Sequence, residues 1–587
     1  MKIHHHLSSA QPLVFAKPIA LYNSEQVYAI EQSWFAAGYD SFGLMKQAAW
    51  QMAQRIDQIC EPKQLAARPI TDSKMYRKNP GQQRASIWVG KGNNGGDGWL
   101  MAYYLQQMGW QVQVTTVGFT SYELEIGSDN DERKIASDAK KAQQIAQAAN
   151  CSHLRFEDNC GSQEESPTAT WQADVYIDAL FGIGLDRAPQ GIYSKAISAF
   201  NELSNHPQAC AISVDIPSGL VASTGEVHDR VAIQADMTLC LIARKFGLHT
   251  KDGLDYGGKI IDIPLIPYPI NDVAFAPVAK LVNAAHRLHP RWQNSHKGSY
   301  GHVLTIGGNR VDGSQGMGGA AILSASSAMA AGAGKITVAC HEAFHGALLT
   351  SLPDAMTINL QDVRGVKQLI QDASIIVIGM GLGRDQQSKD LFISYIQASI
   401  EAGKPIVIDA DGLYHLSSLQ KESHELIDEL RYHSTKYQVC LTPHSGEAAR
   451  LLDMEISDIE KNRLAAIEQC AEIYGGDWIL KGAGSLVLEQ CLVQKQVYVC
   501  GVGNAGMATA GMGDVLSGVM AGLMAQQELT VESRSLLQAV LIHGQAGDAL
   551  VHQIAREHGG LLMGQRGLQA QDMPAAIRHV MQLLISK

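Results

Sequence analysis

Asn504–Gly518 reads NAGMATAGMGDVLSG, and the second half of the chain is organised around it. Its glycines, Gly506, Gly511, Gly513 and Gly518, let the backbone turn sharply and come close to a ligand. From Asp514 onward the sequence is apolar and helix-forming, DVLSGVMAGLMA, so the glycines stand just before a helix start. Free N–H groups and the positive end of the helix dipole make such a place an anion site. A carboxylate there, Asp514, costs Coulomb energy beside phosphate oxygens unless it takes a proton from an attacking hydroxyl. The alternative is a helix-capping aspartate after a glycine turn.

At 587 residues the chain is too long for one core and calls for two to four domains, taken here as residues 1–278 and 279–587. With 46% hydrophobic and 18% charged residues it has an ordinary globular composition. The net charge of -11 argues against non-specific nucleic-acid binding and against an acidic membrane surface. No run of about 20 apolar residues predicts a membrane span. The opening MKIHHHLSSAQ lacks the apolar centre of a secretion signal, and His4, His5 and His6 read as a polar tail. Ten scattered cysteines without a zinc spacing read as thiols in a reducing, cytoplasmic compartment.

In the first half, Leu21–Trp50 predicts two helices joined by a glycine turn, with Ser24 as the N-cap. Residues 61–84 read as a polar loop. ASIWVG (85–90) is a buried strand running into KGNNGGDGWLMAYYLQQMGW, the strand, turn and helix of a phosphate or nucleotide loop. QVQVTTVG predicts the next strand, giving a doubly wound α/β pattern. The acid-rich segment 119–172 reads as a helix plus a solvated insertion without chemistry. DVYIDALFGIGLDR (174–187) and ISVDIPSG (212–219) predict strands ending in Asp178 and Asp215, and ADMTLCLIARKFGL a later strand. Ligands bind beyond such strand ends in open α/β sheets. IDIPLIPYPI and NDVAFAP form a proline-rich linker.

The second half repeats the βαβ layout. Val303–Gly307 is a strand, Ala320–Ala331 a small-residue helix and Lys335–Ala339 a strand. ASIIVIGMGLGR, KPIVIDADGLYHL, CLTPHSGEAARLL and DWILKGAGSLVL supply further strands, each ending in a glycine or polar loop.

These motifs carry a resemblance. NNGGDG with its three companion loops resembles the epimerase domain of NAD(P)H-hydrate repair enzymes, and NxGMATxGxGDVLSG with PHSGE, KGAGS and GMGLG resembles their dehydratase domain. The fold implied is α/β: an N-terminal Rossmann-like three-layer αβα domain followed by a C-terminal ribokinase-like domain. In the first, Asn93, Asn94, Gly95, Gly96, Asp97, the loop Gly182, Ile183, Gly184, Leu185, Asp186, Arg187 and Ala188, and Asp215 would contact the hydrated dinucleotide. Asn94, Asp178 and Ser218 would ligate K+. In the second, Ala320, Gly381, His444 and Asp514 would touch the hydrated dinucleotide. Lys481, Gly482, Ala483, Gly484, Ser485 and Gly513 would hold ADP or AMP, with Mg2+ shielding the phosphates.

The implied chemistry has two parts. A hydrated nicotinamide, as in NADHX or NADPHX, carries a C6 hydroxyl beside ring N1. Phosphorylation turns that poor leaving group into a good one, with Asp514 taking the hydroxyl proton. Epimerisation at C6 needs a proton donor and a proton acceptor, for which Asp178 and Asp215 are candidates. The sequence leaves open ADP against ATP as donor, and a homo-oligomeric state. The rival reading is a hydroxymethylpyrimidine- or hydroxyethylthiazole-type kinase with a non-catalytic N-terminal binding module.

Overall fold

A computed structural model describes residues 17–60, 83–120, 122–124, 137–157, 171–267, 275–310, 316–490, 495–551 and 564–585. The histidine tail, residues 61–82, the acidic run 125–134 and residues 268–274 of the expected linker lie outside them. Two compact units emerge, one spanning Ala20–Val278 and the other Ala279–Lys587.

The first unit is built on a parallel sheet. From one edge its strands run Ser152–Arg155, Gln111–Thr116, Arg84–Val89, Val175–Ala179, Cys210–Val214, Met237–Leu241 and Lys259–Ile263. Strand residues alternate between two cores, as the pleat requires. Ile87, Val89 and Ile177 face one core, with helices Ser41–Cys60 and Asn93–Gln107. Trp88, Tyr176 and Ala211 face the other, under helix Ile192–Ser204. This is the Rossmann-like three-layer αβα fold.

Four local expectations need correction. Asn23, not Ser24, caps helix Ser24–Ala36: its side chain accepts from the Gln26 N–H at 2.8 Å, and Gln26 answers in a capping box. NNGGDG forms the first turns of helix Asn93–Gln107, not a turn before it. The reason is close packing: a Cβ on Gly95 would lie 1.9 Å from the Gly90 carbonyl oxygen, so only glycine lets the helix start against the strand end. Ser152–Arg155 adds an edge strand inside the segment read as insertion. The IDIP of the expected linker lies mostly in strand Lys259–Ile263, pairing with Met237–Leu241.

In the second unit the sheet order from residue 279 onward is Ala279–Val282, Gln496–Cys500, Leu486–Glu489, Asp477–Leu480, Val439–Leu441, Ile406–Ile408, Ile375–Ile378, His302–Ile306, Lys335–Cys340 and Met356–Asn359. Leu486–Glu489 runs antiparallel to both neighbours; the other pairings are parallel. One face packs on helices Gly318–Ala330, Met512–Met524, Leu536–Val551 and Met573–Leu584. Helices Gln386–Glu401 and Asp411–Lys421 stand on the other face, where a Cβ on Gly412 would meet Ile408 Cγ2 at 2.8 Å and Phe392 Cε2 at 3.3 Å. This is the ribokinase-like α/β domain. Helices Gly318–Ala330 and Met512–Met524 touch backbone to backbone: a Cβ on Gly518 would lie 2.1 Å from the Ser324 carbonyl oxygen. Glu489 ends its strand and accepts the Leu536 and Leu537 N–H groups at 2.8 and 3.3 Å, capping helix Leu536–Val551.

Candidate active sites

Each sheet has one place where neighbouring crossovers depart in opposite directions. In the first unit it lies beyond Arg84–Val89 and Val175–Ala179; in the second, beyond His302–Ile306 and Ile375–Ile378. Crevices open at such points. Both are pinched alike. A Cβ on Gly90 would lie 2.2 Å from the Leu180 carbonyl oxygen, and one on Gly307 would lie 2.2 Å from that of Met380.

At the first crevice Asn94 Nδ2 donates to the Phe181 carbonyl at 2.7 Å, and Ser218 Oγ stands 3.3 Å from the same oxygen. Ser218 Oγ also donates to Asp178 Oδ1 at 2.6 Å. The three residues assigned to K+ are therefore contiguous. Asp178 has no solvent exposure. Among the described residues its donors are the Ser218 hydroxyl and N–H, the Ser213 hydroxyl and the Leu180 N–H, all uncharged. Burial raises its pKa despite those hydrogen bonds.

A second cluster lies alongside. Lys245, wholly buried, donates to Asp215 Oδ1 and, at 2.7 Å, to the Leu241 carbonyl. Asp215 also takes the Leu241 N–H at 2.9 Å and sits in the left-handed region, φ 67°. Burial raises the Asp97 pKa well above its usual value, and Asp215 and Glu31 push the same way. Burial likewise raises Glu31, with Asp215 adding to it. Burial pulls the Lys245 pKa down, but Asp215 and Cys240 together hold it above its usual value. Gly182 approaches Asn94, since its Cβ would lie 3.6 Å from Asn94 Cβ. Asn93, Gly184, Asp186 and Arg187 are exposed, and Gly96 packs under Met45. Sequence reasoning assigned no role to Lys245 or Glu31. Lys245 was readable as the lone lysine of an apolar strand and turn, LCLIARKFG; Glu31 carries no local signal.

In the second unit Gly511, φ 89°, precedes helix Met512–Met524, and Asp514 falls in its first turn, half-buried. Asp514 is thus not the cap. Burial raises its pKa to about 7; Asp409, Asp411 and Glu447 add to this and Lys481 opposes it. Asp409 Oδ1 takes a hydrogen bond from Lys481 Nζ at 2.8 Å and Oδ2 one from Ser517 Oγ at 2.7 Å. Burial pushes Asp409 up, but Lys481 and Ser517 hold it below its usual value. A Cβ on Gly513 would lie 3.1 Å from Lys481 Nζ, so two residues assigned to the adenine nucleotide meet here.

Buried Arg463 anchors the KGAGS turn, donating to the carbonyls of Ala483 at 2.8 Å and Leu480 at 3.1 Å. Ser485 Oγ closes the turn onto the Gly482 carbonyl at 3.0 Å. Gly381 lies against Met317, one turn from Ala320: its Cβ would meet the Met317 carbonyl oxygen at 2.6 Å. His444 caps helix Ser445–Leu452, Nδ1 accepting from the Gly446 N–H at 3.0 Å, while its exposed ring keeps Nε2 3.5 Å from Glu447 Oε1. Asp548 holds the loop leading to Asp514: its carboxylate accepts from the Gly503 N–H at 2.9 Å and from Asn504 Nδ2 at 3.0 Å.

Both halves of the chain match known families. Residues 41–247 match the family model described as YjeF-related protein N-terminus, and residues 310–561 match NAD(P)H-hydrate dehydratase. A bifunctional NAD(P)H-hydrate repair enzyme of Coxiella burnetii is 32% identical, over 84% of this chain and 89% of its own. One from Vibrio cholerae is 34% identical, over 83% and 86%. Among solved structures, a ribokinase-like superfamily protein from Enterococcus faecalis is 26% identical, covering 51% of this chain and 93% of that one, with TM-score 0.42. An ADP/ATP-dependent NAD(P)H-hydrate dehydratase from Bacillus subtilis, co-crystallised with ATP/Mg2+, is 22% identical over 51% and 95%, with TM-score 0.39. The kinase reading is not favoured. With both halves matched in order, the chain belongs to the family of bifunctional NAD(P)H-hydrate repair enzymes.

Proposed function

We propose that the two functional domains, residues 1–278 and 279–587, divide the repair of NADHX and NADPHX. The first interconverts the R and S epimers at C6; the second dehydrates the S epimer with ADP as donor, releasing AMP and phosphate. The observation that carries the second assignment is Asp514. It lies in the first turn of a helix that opens on a glycine cap, with a carboxyl pKa raised to about 7. It takes the proton from the C6 hydroxyl as the hydroxyl oxygen bonds to the terminal phosphorus of ADP and AMP leaves. The N–H groups around Ala510–Gly513 receive the charge developing on the transferred group. The N1 lone pair then expels phosphate, and loss of the C5 proton restores the ring double bond.

Mg2+ fits this site as an ion carried by the nucleotide. Among the described residues no three His, Cys, Asp or Glu side chains converge to hold a metal, and Asp409 already bonds Lys481 and Ser517. Such an ion shields the donor's phosphates. In the first unit a monovalent cation fits the oxygens gathered by Asn94, Asp178 and Ser218, since Asp178 is buried among uncharged donors only. Its charge would offset that of the Asp178 carboxylate. Asp215, paired with Lys245, moves the proton at C6, because Asp178 has no solvent exposure and its charge is assigned to the cation. Eight described cysteines are free thiols, in keeping with a cytoplasmic location. No described helix is long and apolar enough to cross a membrane.

The test is Asp514→Asn with mixed NADHX epimers, supplied with ADP and ATP in turn. Recovery of 340-nm absorbance should fall by about 10²–10⁴-fold while epimer exchange continues. Loss of both activities in a folded variant would refute the division of labour.

A further inference from the structure

Two arginines at the second site converge on one tyrosine. Arg384 follows the glycine run 379–383, and its guanidinium carbon lies 5.0 Å from the centre of the Tyr414 ring. Arg450, on helix Ser445–Leu452, reaches the same ring at 5.5 Å. Arg384 commits its Nε to Asp411 Oδ1 at 2.7 Å, and Asp411 Oδ2 takes the Gly383 N–H at 2.9 Å. The Arg384 side chain is still 55% exposed. Arg450 is exposed, and its guanidinium makes no hydrogen bond or ion pair with a described residue.

The helix dipole accounts for an arginine in the last turn of Ser445–Leu452, and Asp411 accounts for Arg384. Neither accounts for both meeting at one ring. The charge of the hollow does. Asp409, Asp411 and Glu447 all act on Asp514, and Lys481 is already bonded to Asp409. A hydrated dinucleotide brings at least two phosphate charges of the same sign as these carboxylates, and in a poorly solvated hollow that repulsion is large. Guanidinium groups bind phosphate through paired N–H groups, and an aromatic ring holds the planar fork in place.

Resting on the dehydratase reading above, we infer that Arg384 and Arg450, seated on Tyr414, form the phosphate-binding rim for the hydrated dinucleotide. The phosphate is either the diphosphate shared by NADHX and NADPHX or the 2′-phosphate of NADPHX alone.

The experiment compares the full-length chain with Arg450→Gln, Arg450→Lys and the double variant R384Q/R450Q. KM and kcat are measured separately for S-NADHX, S-NADPHX and ADP, at low and at moderate salt. The expected result is a rise of roughly tenfold in dinucleotide KM for Arg450→Gln. It should be larger in the double variant and partly rescued by lysine, with kcat and the KM for ADP little changed. A rise for both substrates assigns the rim to the diphosphate, and a rise for S-NADPHX alone to the 2′-phosphate. Unchanged dinucleotide KM in the double variant, or an equal rise in the KM for ADP, overturns the inference. Failure of the unmodified chain to turn over either hydrate refutes the dehydratase reading and the rim with it.

Discussion

Lys481 Nζ donates to Asp409 Oδ1 at 2.8 Å, and this ion pair lies directly under the first turn of helix Met512–Met524. Two residues 72 positions apart are brought together by the parallel strands Ile406–Ile408 and Asp477–Leu480, which flank Val439–Leu441. The pair fixes a positive group beside the amide-lined hollow while Asp514 stays above it as the carboxyl with the raised pKa.

Gly513→Ala separates stability from activity. Its Cβ would sit 3.1 Å from Lys481 Nζ and 3.5 Å from Asp409 Oδ2, inside the space for phosphate. Alanine favours the helix by up to about 1 kcal/mol, so Tm should hold or rise. Dehydration should fall on the order of 100-fold, because the methyl displaces the donor phosphate. Thermal melts and steady-state kinetics on one preparation check both.

The dehydratase pH profile follows from Asp514. Its carboxyl works as a base only when ionised, so kcat/KM should rise with pH through about 7 and then level off. Asp514→Asn should leave a residual rate without that limb.

Asp215→Asn tests the buried pair in the first unit. Asparagine tolerates the left-handed backbone of this position, but Lys245 loses its counter-charge. The cost should be about 3–5 kcal/mol. The double variant D215N/K245M should regain most of that stability without epimerisation, as read from denaturant melts and epimer exchange.

Glu489 predicts a stability change with pH. Burial raises its carboxyl to about 7, against the hydrogen bonds from Leu536 and Leu537. Since the folded value lies above the unfolded one, its contribution is full below about pH 4 and is lost as pH rises through about 7. Glu489→Gln keeps an acceptor for the helix and should flatten Tm between pH 5 and 8.

Most of this architecture was legible because strand ends followed by glycine loops have a strong local signature. The strands read from DVYIDALFG, VLTIGG and VIGMGLG, and the helix read after NNGGDG, are the elements that border the two crevices. Other features depend on residues distant in sequence. The cap is the local exception: Asn23 replaces Ser24 because Gln26, three residues on, completes a box with it. Edge strand Ser152–Arg155 exists only by pairing with Gln111–Thr116, and Ala279–Val282 by pairing with Gln496–Cys500. The His444 ring looked like a ligand contact and also caps a helix, a role its PHSGE context shares with many turns. Glu31 was missed because only the folded chain sets it near Asp215; Lys245 had a local signal, but its pairing with Asp215 comes from the fold.

The backbone contact at Gly518 and Ser324 has a mechanical consequence. Two rods in direct contact cannot slide past each other without a clash, so the end bearing Asp514 is a fixed anvil. Accommodation of a longer or shorter donor tail therefore falls to the opposite jaw, the KGAGS turn, whose travel is set by the Arg463 hydrogen bonds to Ala483 and Leu480. Stiffening that jaw should alter the choice between two and three phosphates and leave the chemical step untouched.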